Sequence, residues 1–176
     1  MCAETKGIYM KNKLRYVYKA AGLIVLLALS LASAAAQVLT AEQAKKAAPT
    51  SYYFAGQSAA VQTRNTAALK SDAGKMVLAG LVDTSGYSTA IAEKYQGFLI
   101  TETKLTFDGA TLAAGEYGFG FKDGKFTVMN VAASDLLSVA SKDDTEIKHP
   151  VPLKFEKDAS GYRLYAGRKY VVIKAD

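Results

Sequence analysis

Reactive side chains are scarce in this sequence. It has a single cysteine, a single histidine and three prolines, and the cysteine is the second residue. Cys2 precedes every stretch that reads as folded protein, so neither a disulfide framework nor a thiol nucleophile can form in the body of the chain. One histidine, His149, leaves no zinc set of several histidines and cysteines. Any histidine-based triad would have to be built around it. It stands in "KHPVPL", where the following proline favours extended backbone at the start of a strand. No G-x-S-x-G elbow accompanies it, and it reads as a surface residue. The acidic pair Asp143-Asp144 lacks the spacing of a calcium loop. Neither a metal nor a cofactor is expected.

A long hydrophobic run is also missing. The longest, "AAGLIVLLALSL" from Ala20 to Leu31, falls short of the roughly twenty residues a helix needs to cross a bilayer. Lys11, Lys13, Arg15 and Lys19 lie before it and the small residues "ASAAAQ" after it, which is the three-part layout of a secretory signal peptide. The expectation is cleavage after Ala36, with Ala34 and Ala36 as the small residues read by the peptidase. The mature chain would then be exported to the periplasm or the medium with no stable membrane span. Met10 is an alternative start that gives a signal of ordinary length. A lipid anchor would need a cysteine just after the apolar run, where alanines stand.

Removing residues 1–36 changes the charge. The formal value of +6 includes Lys6, Lys11, Lys13, Arg15 and Lys19 against Glu4, so the mature chain carries only +2. Its basic residues are interspersed with acidic ones, as on an ordinary solvated surface. A clustered cationic face for phosphate binding is absent, and no nucleic-acid partner is expected.

What remains suits one domain. Residues 37–50 read as a short helix or spacer, with Thr40 and Gln43 spaced as a capping box and Pro49 as the stop. From Ser51 to the end the pattern is β. "SYYFAG", "KMVLAGLVD", "YQGFLITETKL", "EYGFGFK", "KFTVMNV", "PLKFEK", "YRLYAG" and "RKYVVIK" are short runs of aromatic and β-branched residues between turn formers. Asp123-Gly124 suits a type I′ hairpin turn, and Asp158, Ser160, Gly161 and Gly167 mark further turns. "ASDLLSVAS" fits either a helical turn or a strand. The fold class is all-β and mainly antiparallel, as a small sandwich or a barrel.

Period-2 alternation assigns the faces. Tyr117, Phe119 and Phe121 point to a core, while Gly118 and Gly120 leave bare backbone on the reverse for close packing or bending. Phe126 and Val128, Leu153 and Phe155, and Tyr170 and Val172 extend the apolar face.

"FAGQSAAVQTRN", residues 54–65, is the hardest stretch to place. Phe54 and Val61 anchor it, Gly56, Gln57 and Ser58 read as a turn, and Gln62, Arg64 and Asn65 fit no single helix face. Such side chains can satisfy the backbone of an irregular segment. They can also line a pocket, where Tyr52, Tyr53, Tyr87 and Tyr95 would add flat faces and hydroxyls for a sugar or peptide. The candidate ligand-binding set is Tyr53, Gln57, Gln62, Arg64, Asn65, Tyr87 and Tyr95. "LVDTSGYS" approaches the aspartic protease signature, but Ser85 intervenes before the glycine and no second copy exists. Asp83 to Gly86 read instead as a strand-ending turn. Glu93, Glu102 and Glu116 are the carboxylates available to a hydrolase, each equally placed as the solvent side of a strand.

"YFAGQSAAVQTRN", "LAGLVDTSGYS", "EKYQGFLITE" and the closing "VPLKFEK…GYRLYAGRKYVV" resemble a group of secreted bacterial β-rich proteins of unknown function, over most of the mature domain. The resemblance implies no activity, cofactor or catalytic residue. "LAAGEYGFGF" is similar to the L-x-A-G-x-Y hairpin openings of exported β-sandwich domains. The leading expectation is a non-catalytic exported domain that binds an envelope protein or a small ligand. The alternatives are an assembly component, a homo-oligomer included, that pairs through an edge strand such as "RKYVVIK", and a carboxylate-based hydrolase.

Overall fold

A computed structural model describes residues 36–176, so of the expected export segment only Ala36 lies within the described residues. The chain runs through β1 (Gln37–Val38), α1 (Ala41–Ala47), β2 (Ser51–Phe54), β3 (Gln57–Lys70), β4 (Met76–Val82) and a single helical turn, α2 (Thr89–Ala92). β5 (Gly97–Thr101), β6 (Leu105–Phe107), β7 (Ala110–Leu112), β8 (Gly115–Lys122), β9 (Lys125–Met129) and β10 (Asp135–Ala140) follow. β11 (Lys142–Asp143), β12 (Lys154–Asp158), β13 (Gly161–Ala166) and β14 (Lys169–Ala175) complete it.

The strands pair antiparallel in two sheets. The larger has the order β1-β3-β4-β5-β8-β9-β10 with β2 attached to β3, and the smaller β12-β13-β14-β6-β7 with β11 attached to β14. Both sheets supply one apolar cluster between them, so of the two expected forms, sandwich or barrel, the fold is the all-β sandwich. Phe119 and Phe121 of β8, Phe126 of β9 and Phe107 of β6 form its aromatic centre, with Phe126 5.5, 5.7 and 4.9 Å from the rings of Phe107, Phe119 and Phe121. The Asp123-Gly124 turn joins β8 to β9 with φ of 50° and 72°, the left-handed pair of a type I′ hairpin. "DLLSVA" is a strand, β10, whose register with β9 shifts between Asp135 and Leu137 and leaves Leu136 half exposed.

Two expectations for the last strand are corrected. Val171 and Ile173 point into the core, whereas Tyr170 and Val172 face outward. The tight turn at Gly167 sets Ala166 opposite Lys169, which brings Val171 to Leu164 and Ile173 to Tyr162. A strand shifted by one residue changes face throughout. Nor is "RKYVVIK" an edge strand. β13 pairs with β14 on one side, and β11 and β6 pair with its two ends on the other.

The outer face of the larger sheet is covered as well, but by irregular means. A second cluster there unites Ala44 of α1, Tyr52 and Phe54 of β2, Ala59 and Val61 of β3, and Tyr87, Tyr95, Phe98 and Met129. α1 has the expected capping box, with the Gln43 N–H donating to Thr40 Oγ1 at 3.3 Å and the Thr40 N–H to Gln43 Oε1 at 3.0 Å. Ala44 is fully buried and anchors the helix to the sheet. The reverse of β8 is bare so that its cover can sit down. A Cβ on Gly118 would lie 2.3 Å from the Phe54 ring, and one on Gly120 2.1 Å from the Lys94 carbonyl oxygen. Among the described residues no helix is long and apolar enough to cross a membrane.

Candidate functional site

The segment expected to be an irregular loop is a hairpin followed by a long strand with one break. The turn is Ala55-Gly56, with φ of 50° and 87°, so Gln57 and Ser58 belong to β3 and the turn expected at 56–58 is displaced. Val61 pairs with Val82 and Thr66 with Gly80, so residues 62–65 of β3 face only Leu81 of β4. This bulge lets the start of β3, with β2, fold over the outer face while its end stays in the sheet.

The amides of the candidate set work within this bulge and the adjoining turn. Gln62 Nε2 donates to the Val82 carbonyl at 3.0 Å, and Asn65 Nδ2 donates to Gln62 Oε1 at 2.7 Å. Gln57 Nε2 donates to the Gly86 carbonyl at 2.9 Å and so ties the ribbon to the 83–88 connection. Arg64 is exposed, with no hydrogen bond or ion pair among the described residues. Tyr95 is fully buried and stacks on Phe54 at 3.9 Å, while Tyr87 is buried against both rings and donates to the Gln57 carbonyl at 3.2 Å. The structure thus gathers Gln57, Tyr87 and Tyr95 around the ribbon tip as cover for the sheet. Tyr53 alone among the tyrosines of the set is exposed, at 58%.

Tyr53 borders an open groove of about 430 Å³ lined also by Pro49, Ser51, Tyr52, Ile100, Glu116 and Val131. Its geometry follows from the hairpin. The Val61 N–H donates to the Thr50 carbonyl, and β2 pairs only with β3. By alternation the N–H and C=O groups of Ser51 and Tyr53 point away from β3. Ala55 points the same way and donates to the Val131 carbonyl at 2.8 Å, which places that free edge on the groove side. Ser51 and Tyr53 have no main-chain partner there among the described residues. Ile100 and Glu116 are cross-strand neighbours on β5 and β8.

Tyr52 adds an unusual group. It is 5% exposed and stacks on Phe98 at 5.1 Å, and its hydroxyl is buried without a hydrogen-bond partner. Burial, with the Glu116 carboxylate adding to it, raises the pKa of this phenol, so it stays a neutral donor. The Tyr95 and Tyr162 hydroxyls are likewise unpartnered, but of the three only Tyr52 lines this groove. Glu116 pairs with no cation among the described residues.

The other expected candidates serve the fold. Asp83 accepts from the Ser85 N–H at 3.0 Å, a bond that lowers its pKa and closes the expected turn. Glu93 pairs with Lys122 at 2.5 Å, and Glu102 accepts from the Met76 N–H at 2.8 Å. His149 is exposed in a loop. Among the described residues no group of acidic, histidine or cysteine side chains is arranged to hold a metal.

Sequence reasoning missed Ser51, Ile100 and Val131, none of which bears a reactive group. It also missed a polar cluster on the outer face of the smaller sheet. There Arg163 Nε donates to Asp158 Oδ2 at 2.7 Å and Arg163 Nη1 to the Tyr165 hydroxyl at 3.2 Å, which in turn donates to Asp144 Oδ2 at 2.9 Å. The Arg163 guanidinium lies 4.8 Å from the Tyr170 ring centre. These bonds join the cluster to itself and clamp the strands. Compared with protein-family models, with curated proteins and with solved structures, the chain finds no match.

Proposed function

We propose that this chain is a non-catalytic binding domain that takes up an extended polypeptide segment along the free edge of β2. The observation that carries this reading is the open main-chain edge at Ser51 and Tyr53, set beside a groove that Tyr52 and Ile100 line. A peptide added there would gain main-chain hydrogen bonds, and the groove would take alternate side chains. The edge is short. Pro49 has no N–H at one end, and the bond from Ala55 to Val131 closes the other, so a segment of about three or four residues fits at roughly 3.3 Å each. The action belongs outside the cytoplasm of a bacterium, a reading supported by the cationic, apolar and small-residue pattern of residues 11–36. An envelope protein is the partner this favours.

Ser51→Pro tests the edge directly, because the Ser51 N–H takes no part in the fold's own pairing. The expected result is an unchanged melting temperature and an affinity for blocked, alternating Thr-Val octapeptides about three- to tenfold weaker, the size of one lost hydrogen bond. Equal affinity of the variant and the parent for these peptides contradicts the reading.

A further inference from the structure

We infer that the segment bound at β2 carries an arginine, placed against Glu116 and the exposed ring of Tyr53. This inference rests on the edge-pairing reading above and specifies its partner. Glu116 is the one charged side chain lining the groove, and it pairs with no cation of the described residues. Three other carboxylates near the larger sheet are already engaged. Glu93 holds Lys122, Asp135 holds Lys94, and Glu102 holds a main-chain N–H. A carboxylate left alone beside an apolar floor favours a basic partner and disfavours an acidic one.

Arginine suits the groove better than lysine. Its planar fork can meet a carboxylate with two hydrogen bonds, and the same plane stacks on an aromatic ring. Tyr53 supplies such a ring at 58% exposure in the same groove. The molecule already uses this combination elsewhere, with Arg163 bonded to Asp158 and lying over Tyr170. The Tyr52 ring also lines the groove, with its hydroxyl buried beneath the surface.

A second groove, of about 350 Å³, lies where the outer side of β14 is bare between β11 and β6. Its lining includes Lys142, Lys174 and Asp108, all exposed, and none of the buried, unpartnered hydroxyls. With two lysines to one carboxylate, its charge does not share the first groove's preference for a basic partner.

The test uses protein purified from its own host and three blocked, fluorescently labelled octapeptides of alternating Thr and Val. They differ at one interior position, which is arginine, norleucine or glutamate, and binding is read by anisotropy. The arginine peptide is expected to bind about fivefold more tightly than the norleucine peptide, the scale of one partly exposed ion pair, with the glutamate peptide weakest. Glu116→Gln is expected to erase the difference between arginine and norleucine without moving the melting temperature. Equal binding of arginine and norleucine peptides by the parent protein overturns the inference and leaves edge pairing standing. Binding of none of the three overturns both. Concentration-dependent dimers abolished by Ser51→Pro overturn it in a third way, by making a second copy of the chain the occupant.

Discussion

The two faces of the larger sheet are closed in different ways. On the inner face regular strands of the smaller sheet interdigitate with β8 and β9, and every large side chain there is aliphatic or aromatic. On the outer face a folded-over hairpin, a two-turn helix and the 83–96 connection do the covering, held by side-chain amides and by rings laid on bare glycine backbone. Strand-on-strand packing buries the centre of its face and leaves Tyr117, Leu137 and Val139 partly exposed at the margin. The improvised cover runs out beyond β2, and the groove is the part of the sheet it leaves open. The proposed binding site would thus follow from incomplete covering, with no reactive group required.

The comparison can be broken by substitution, beginning with the inner face. Phe126→Ala removes a ring packed against three others and is expected to cost about 3–5 kcal/mol, read as a large fall in melting temperature. On the outer face Gly120→Ala drives a Cβ against the Lys94 carbonyl and forces the 83–96 connection outward, for about 1–3 kcal/mol. A near-neutral result would mean that this cover is looser than the packing indicates. Gln96→Ala addresses the polar ties. Its side chain donates to the Phe121 carbonyl and accepts from the Phe121 N–H, both at 3.0 Å, standing in for a strand residue beyond the end of β5. Denaturant unfolding should register a loss of about 1–2 kcal/mol.

The smallest effect concerns acid. Bonds from the Ser160 N–H and hydroxyl, and then from Arg163, lower the pKa of the Asp158 carboxyl. A carboxyl whose pKa is lower folded than unfolded adds stability above the ordinary carboxylate range, and this is lost as pH falls through the lowered value. Asp158→Asn should therefore flatten a modest part of the acid limb of the melting-temperature profile. An unchanged limb would count against the clamp on the smaller sheet.

These differences also explain what the sequence made legible. Period-2 alternation is strong wherever one face meets the core and the other does not, so the core faces of β8 and β9, and Phe155 of β12, could be read from the sequence. Asp123-Gly124 announced its turn because both residues tolerate positive φ. Ala55-Gly56 makes the same kind of turn with an alanine at φ 50°, a residue that gives no such signal, and the turn was accordingly sought one step too late. β3 was hidden for another reason. Its small residues Ala59, Ala60, Ala67 and Ala68 lack the bulk that marks a strand, and the polar side chains of its bulge resemble a loop.

The candidate site was only partly legible. Tyr53 could be singled out as an aromatic in a suspect segment, but nothing local distinguishes it from Tyr87 and Tyr95, which the fold buries. Ser51, Ile100, Glu116 and Val131 come together only through the outward fold of the β2–β3 hairpin over β5 and β8. That fold depends on the bulge at residues 62–65, a feature of register that no short motif encodes.

The central claim is that the free edge of β2 is the working surface, and amide chemical shifts with hydrogen exchange test it most directly. When the arginine-containing octapeptide is added, the Ser51 and Tyr53 amides should shift and become protected, with smaller shifts at Ile100, Glu116 and Val131. Unchanged Ser51 and Tyr53 amides, with the response confined to another edge such as β10 around Leu136, would contradict it.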